Sequence, residues 1–142
     1  MTVIVYKDGV MAADTGCFQE STIISTRETK IKRAPDGTLF ACAGGVDDIE
    51  RFAVWAMEGF NPSDRPSKTE NFGALTVTPT GEIVQYGPSF YAYRPSGDWA
   101  VEGCESAFLT AALLCGKTAA EAVQLAINHT VWAAGTVQEV RL

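Results

Sequence analysis

The sequence contains a single histidine, His129, and no two cysteines close together. Cys17, Cys42, Cys104 and Cys115 are widely separated, with no Cys-x-x-Cys among them, whereas zinc sites draw their ligands in closely spaced pairs. No metal site and no organic cofactor are expected, and most of the thiols should be buried or neutral. A face for nucleic acid is lacking too. The formal net charge is −6, and the basic residues that do gather (Arg27, Lys30, Lys32, Arg33) are surrounded by Glu20, Glu28, Asp36 and Asp47. That leaves no strip to neutralise phosphates. No run approaches the roughly 20 apolar residues of a membrane span, and no basic-then-apolar leader precedes the first strand-like run. A cytoplasmic protein without a membrane partner is the expectation. Asn128-His129-Thr130 has the form of a glycosylation sequon, which carries no weight without a secretory leader. There is no low-complexity tract and no internal repeat.

What is present fits one domain spanning residues 1–142. At 142 residues, 46% hydrophobic and 20% charged, the chain is long enough to bury a core. Its first fourteen residues, MTVIVYKDGVMAAD, read as a β-hairpin. Two apolar runs flank Asp8-Gly9, a pair suited to the positive-φ positions of a type I′ turn. Closing that hairpin brings Thr2 towards Asp14. Taken alone, the pattern is also that of an ordinary edge hairpin.

Further along, residues 15–21 read as a loop and Thr22–Arg33 as a half-buried strand. Pro35-Asp36-Gly37 turns the chain into the apolar run 38–43, a second hairpin. Gly44-Gly45 ends that strand and opens a helix from about Asp47, with Glu50 at capping-box spacing and Gly59 at its close. Ile49, Phe52, Ala53 and Ala56 form the apolar face of this helix. After a polar connection over 60–71, two more hairpins are expected, 74–77 with 82–86 and 90–93 with 99–101. Two helices follow, about 105–115 and from Thr118, where Glu121 completes a capping box. A strand over 136–142 ends the chain. Runs of strands segregated from runs of helices indicate α+β, with two antiparallel sheets face to face and helices outside them in a four-layer αββα sandwich.

Thr2, Lys30 and Gly44-Gly45 together suit an N-terminal threonine nucleophile. A hydroxyl is a poor nucleophile at neutral pH and needs a base beside it. A chain-terminal threonine carries its own base, the α-amine, whose unperturbed pKa is about 8. A nearby ammonium favours the neutral amine, because like charges repel, and an aspartate holds that ammonium charged and oriented. Backbone N–H groups at a glycine-rich helix start stabilise an oxyanion.

The whole chain resembles the proteasome β-subunit family of N-terminal nucleophile (Ntn) hydrolases, and is most similar to short proteasome-like peptidases of bacteria and their phages. The stretches carrying the resemblance are MTVIVYKDGVMAAD, KIKRAPDGTLFACAGG with the VDD that follows, and the tail GTVQEVRL. The resemblance implies the Ntn-hydrolase sandwich. It makes Thr2 the nucleophile once Met1 is removed, Asp14 and Lys30 its charged support, and Gly44 the oxyanion donor. Initiator methionine is normally removed before a small residue, so no propeptide is needed. The implied activity is threonine-type hydrolysis of amide bonds in peptides or unfolded protein. It would act within a self-compartmentalising ring of identical subunits, with an ATP-dependent unfoldase as partner.

The chain also departs from the family. Gly103-Cys104-Glu105 stands where the family has Gly-Ser-Gly, and a thiol is only a weak hydrogen-bonding substitute for a hydroxyl. Thr130-Val131-Trp132-Ala133-Ala134-Gly135 stands where an aspartate and a serine or threonine precede Gly-Gly. One central helix is missing. These departures motivate a second reading, a catalytically inactive assembly or interaction protein of the same fold. A small-molecule amidase is a third.

Overall fold

Asp8 and Gly9 have φ of 52° and 78°, the two left-handed positions of a type I′ turn. They close the first hairpin with Lys7 opposite Val10, joining β1 (Val3–Lys7) to β2 (Val10–Asp14). The computed structural model describes all of residues 1–142. The chain continues through β3 (Cys17–Gln19), β4 (Thr22–Ser25), β5 (Ile31–Arg33), β6 (Leu39–Gly44) and α1 (Val46–Met57). A turn of 3-10 helix at Pro62–Asp64 leads to β7 (Phe72–Val77), β8 (Ile83–Tyr86), β9 (Ala92–Tyr93) and β10 (Trp99–Gly103). Last come α2 (Ser106–Leu114), α3 (Ala119–His129) and β11 (Val137–Arg141).

The strands form an antiparallel four-stranded sheet in the order β10-β1-β2-β11 and a five-stranded sheet in the order β5-β6-β7-β8-β9, with β3 and β4 as a separate hairpin. Alternation along β1 and β2 decides the layering. Val3, Val5 and Ala12 pack under α2 and α3 with Leu109, Val123 and Ala126. Ile4, Tyr6, Met11 and Ala13 face the second sheet, meeting Leu39, Leu75 and Val77. On the far side of that sheet α1 buries Phe52, Ala53, Trp55 and Ala56. Phe52 is fully buried among aromatic rings, and truncating such a side chain costs about 3–5 kcal/mol. The result is the αββα sandwich and the α+β class expected of the sequence.

Three local expectations are corrected. Thr22–Arg33 is not one strand. Glu20 takes a left-handed φ of 53°, and the stretch expected to be a loop folds back as β3 on β4. The chain then leaves that hairpin, with the Thr15 hydroxyl donating to the Thr26 carbonyl at 2.8 Å, before entering the other sheet as β5. The second correction concerns α1, whose N-cap is Gly45, with no side-chain cap. Asp47 forms no capping box, and the neighbouring Asp48 carboxylate accepts from Arg51 and from the Thr69 hydroxyl instead. Third, 90–93 and 99–101 are not a hairpin. β9 pairs with β8 while β10 crosses to β1. Trp99 and Val101 pack towards the helices and Ala100 between the sheets, so β10 has apolar work on both faces, whereas both residues of β9 are exposed. The Thr118–Glu121 capping box forms as expected.

No helix is long and apolar enough to cross a membrane. All four cysteines are free. Cys42 is buried, Cys17 and Cys104 are half-buried, and Cys115 is exposed.

Candidate active site

Asp14 ends β2 with its side chain wholly inaccessible to solvent. A carboxylate so buried needs partners, and it has four. Oδ1 accepts from the Lys30 ammonium at 2.8 Å and the Val3 N–H at 3.1 Å. Oδ2 accepts from the Ala134 N–H at 3.1 Å and the Gly16 N–H at 3.3 Å. Lys30 lies immediately before β5, not within a longer strand, and its side chain is 10% exposed. Its ammonium also lies 3.5 Å from the carbonyl oxygen of Met1, which belongs to the peptide group joining Met1 to Thr2.

Thr2 precedes β1 and is 7% exposed. Its carbonyl accepts from the Cys104 N–H at 2.8 Å. That approach depends on Gly103, which has a φ of +91° and whose Cβ, if it had one, would overlap the Thr2 carbonyl oxygen. Gly44, the last residue of β6, has a φ of +136°, and a Cβ there would sit 2.5 Å from the Asn71 carbonyl oxygen. Only glycine fits either position.

Thr2, Lys30 and Gly44 line one cleft of about 220 Å³, walled by Cys17, Phe40, Cys42 and Ile49. Asp14 does not reach the cleft and stands behind Lys30. All four residues singled out from the sequence therefore converge. Burial pushes the Cys42 thiol well above the usual range, with Lys32 opposing and Glu102 and Glu50 adding to the shift. A thiol held protonated in this way is no competing nucleophile in the cleft.

Sequence reasoning missed Gln138 on β11, whose carboxamide binds both Asp14 and the backbone at Lys30. Nothing in the sequence set it apart, since the terminal strand also carries Glu139 and Arg141. Of the residues noted above as departures from the resemblance, the Thr130 hydroxyl donates to the Ala126 carbonyl at 2.8 Å, capping α3. Ala133 is buried beneath the four-stranded sheet. Cys104 Sγ lies 3.2 Å from Met1 Sδ. No three His, Cys, Asp or Glu side chains converge as a metal cluster.

No protein-family model matches this sequence, and no curated protein sequence matches it either. Solved structures do. BPH from Thiobacillus denitrificans in complex with epoxomicin superposes with a TM-score of 0.72 at 18% identity, over 99% of this chain and 97% of that one. A second structure of that BPH gives 0.71 at 17% identity, over 99% and 96%. Eukaryotic HslV from Trypanosoma brucei gives 0.67 at 15% identity, over 99% and 98%. At such identities the likeness is one of fold, and that fold is the proteasome-type Ntn-hydrolase sandwich.

Proposed function

We propose that the chain is a threonine-type amide hydrolase, a peptidase, whose nucleophile is the Thr2 hydroxyl once the bond between Met1 and Thr2 has been cut. The observation that carries this reading is the cleft shared by Thr2, Lys30 and Gly44, with Asp14 buried 2.8 Å behind Lys30. While Met1 is attached, the Thr2 nitrogen is an amide and cannot act as a base. Met1 is 47% exposed, and cutting it away frees an α-amine beside the Lys30 ammonium.

That amine takes the Oγ proton as Oγ attacks the substrate carbonyl carbon. It returns the proton to the departing nitrogen when the C–N bond breaks, leaving an ester on Thr2 that water hydrolyses with the amine again as base. Lys30, oriented by Asp14, disfavours protonation of the amine. The backbone N–H at Gly44, beside the start of α1, is the candidate donor to the oxyanion. Peptides or unfolded protein as substrate, a self-compartmentalising ring of identical subunits, an ATP-dependent unfoldase as partner and a cytoplasmic setting belong to the same reading. Their support is the sequence resemblance together with the shared fold.

One observation favours the second reading, an inactive protein of this fold serving assembly or interaction. Thr130 and Ala133 are committed to a helix end and to the apolar core, so neither offers the amine a polar partner. Intact mass before and after incubation with epoxomicin, for wild type and Thr2→Ala, separates the two. The hydrolase reading expects chains lacking Met1 that gain one adduct, and no adduct on Thr2→Ala. Chains lacking Met1 that stay unmodified would leave the interaction protein.

A further inference from the structure

Gln138 is half-buried on β11, opposite Ala13 of β2. Its Oε1 accepts from the backbone N–H of Lys30 at 3.0 Å and of Ile31 at 3.2 Å. Its Nε2 donates to the backbone carbonyls of Asp14 at 3.2 Å and Glu28 at 3.0 Å. A carboxamide offers two acceptor sites and two N–H donors, and all four are used. The orientation is fixed as well, since a flipped amide would set N–H against N–H and oxygen against two carbonyls.

These bonds cross a junction that the sheets leave open. Asp14 ends a strand of the four-stranded sheet, while Lys30 precedes β5, the edge strand of the other sheet. The two residues are not neighbours in any ladder. Gln138 supplies the backbone partners that a ladder would otherwise give, and it binds both sides at once. An ion pair fixes the distance between two charges but not the path of the chain that bears them. A long lysine side chain has many rotamers open to it, so the anchoring of its backbone decides how often the ammonium sits at Asp14.

We propose that Gln138 is the positioning residue for Lys30. It fixes residues 28–31 so that the ammonium is held between Asp14 and the nitrogen of Thr2. For catalysis this rests on Thr2 being the nucleophile, but the pairing of Lys30 with Asp14 can be read without it. Gln138→Leu removes all four bonds. Gln138→Glu keeps the shape and both accepted bonds but turns an oxygen towards the carbonyls of Asp14 and Glu28. Glu139→Gln, on the exposed neighbouring residue, is the control.

The experiment combines hydrogen exchange by NMR, at the Lys30 and Ile31 amides and at the Lys30 ammonium, with the rate of epoxomicin adduct formation on full-length protein. In Gln138→Leu exchange at all three groups should rise on the order of tenfold or more, and in Gln138→Glu, which keeps the two accepted bonds, the rise should appear at the Lys30 ammonium. Amides of β1 and α3 should stay as protected as in wild type, and adduct formation should slow by a similar factor. Unchanged exchange at the Lys30 ammonium would overturn the proposal. So would faster exchange with an unaltered adduct rate, or a loss of protection throughout the molecule in both variants, since each reduces Gln138 to general packing. If wild type forms no adduct, the hydrolase reading fails on its own, and exchange at the ammonium still decides whether Gln138 positions Lys30.

Discussion

The Lys30 ammonium lies 2.8 Å from Oδ1 of an Asp14 side chain that no solvent reaches. Removing one member of a buried pair strands the other, at a cost of about 3–5 kcal/mol. Lys30→Met leaves a carboxylate supported by three backbone N–H groups. Asp14→Asn leaves a lysine with no acidic partner and turns an NH2 group towards N–H donors. Both variants should melt well below wild type, with Asp14→Asn the more damaged because it disturbs four bonds rather than the two that the Lys30 ammonium makes. Under the proposed mechanism both should also lose adduct formation at Thr2 by at least about 100-fold. Thermal melts and adduct rates on the same samples check this. A Lys30→Met protein that reacts at the wild-type rate would remove Lys30 from the chemistry.

Gly103→Ala tests the seat of Thr2. The added Cβ meets the Thr2 carbonyl oxygen, and the residue must also hold a φ of +91°, a strain of about 1–3 kcal/mol for a side-chain-bearing residue. The cheapest relief is for β1 and β10 to separate at that end, breaking the bond from the Cys104 N–H to Thr2. The expected outcome is a modest loss of melting temperature and a disproportionate loss of Thr2 reactivity. Gly116→Ala, also at positive φ but with nothing within 4 Å of its Cβ, should cost stability while leaving reactivity intact.

How much of this was legible in the sequence depended on how local the deciding physics was. Asp8-Gly9 dictates a tight turn whatever lies elsewhere, so the first hairpin could be read directly, and with it the return of Asp14 to the residue after Thr2, whose N–H it accepts. Thr118 and Glu121 carry their reciprocal bonds within one helical turn, and that cap was legible too. The crossing of β10 to the other sheet was not, because Pro95-Ser96-Gly97 suggests a turn while burial of Trp99 and Ala100 on opposite faces decides the pairing. Gln138 was hidden for the same reason, being 108 residues from the amide it accepts. Asp47 misled because Gly45 takes the cap position and the next carboxylate, Asp48, is drawn to Arg51 and Thr69.

The capping box at α3 supplies a control for every site variant. Thr118 accepts from the Glu121 N–H at 3.1 Å, and Glu121 accepts from the Thr118 N–H at 3.3 Å. Thr118→Ala should cost about 1 kcal/mol and lower the melting temperature without changing the rate at which Thr2 is modified. Were reactivity to fall with it, losses seen in the site variants would reflect stability rather than chemistry.

Alkaline pH should destabilise the fold through buried groups that resist losing a proton. Burial raises the pKa of Cys42. It also raises that of Tyr6, with the Gly9 backbone opposing and Asp8 adding, and that of Tyr86, with Arg94 and Arg65 opposing and Glu82 adding. In the unfolded chain a thiol ionises near about 8.5 and a phenol near about 10. Below those values both states hold the protons, and the stability contribution is complete and flat. Above them the unfolded chain releases protons that the folded chain keeps, so unfolding is favoured and stability falls as pH rises. Denaturation midpoints between pH 7 and pH 10.5 should decline, with the thiol contributing first. Cys42→Ala, whatever its stability at pH 7, should show a shallower decline between pH 8.5 and 10 than wild type. Equal slopes for the two proteins would mean that Cys42 ionises as readily in the folded chain as in the unfolded one.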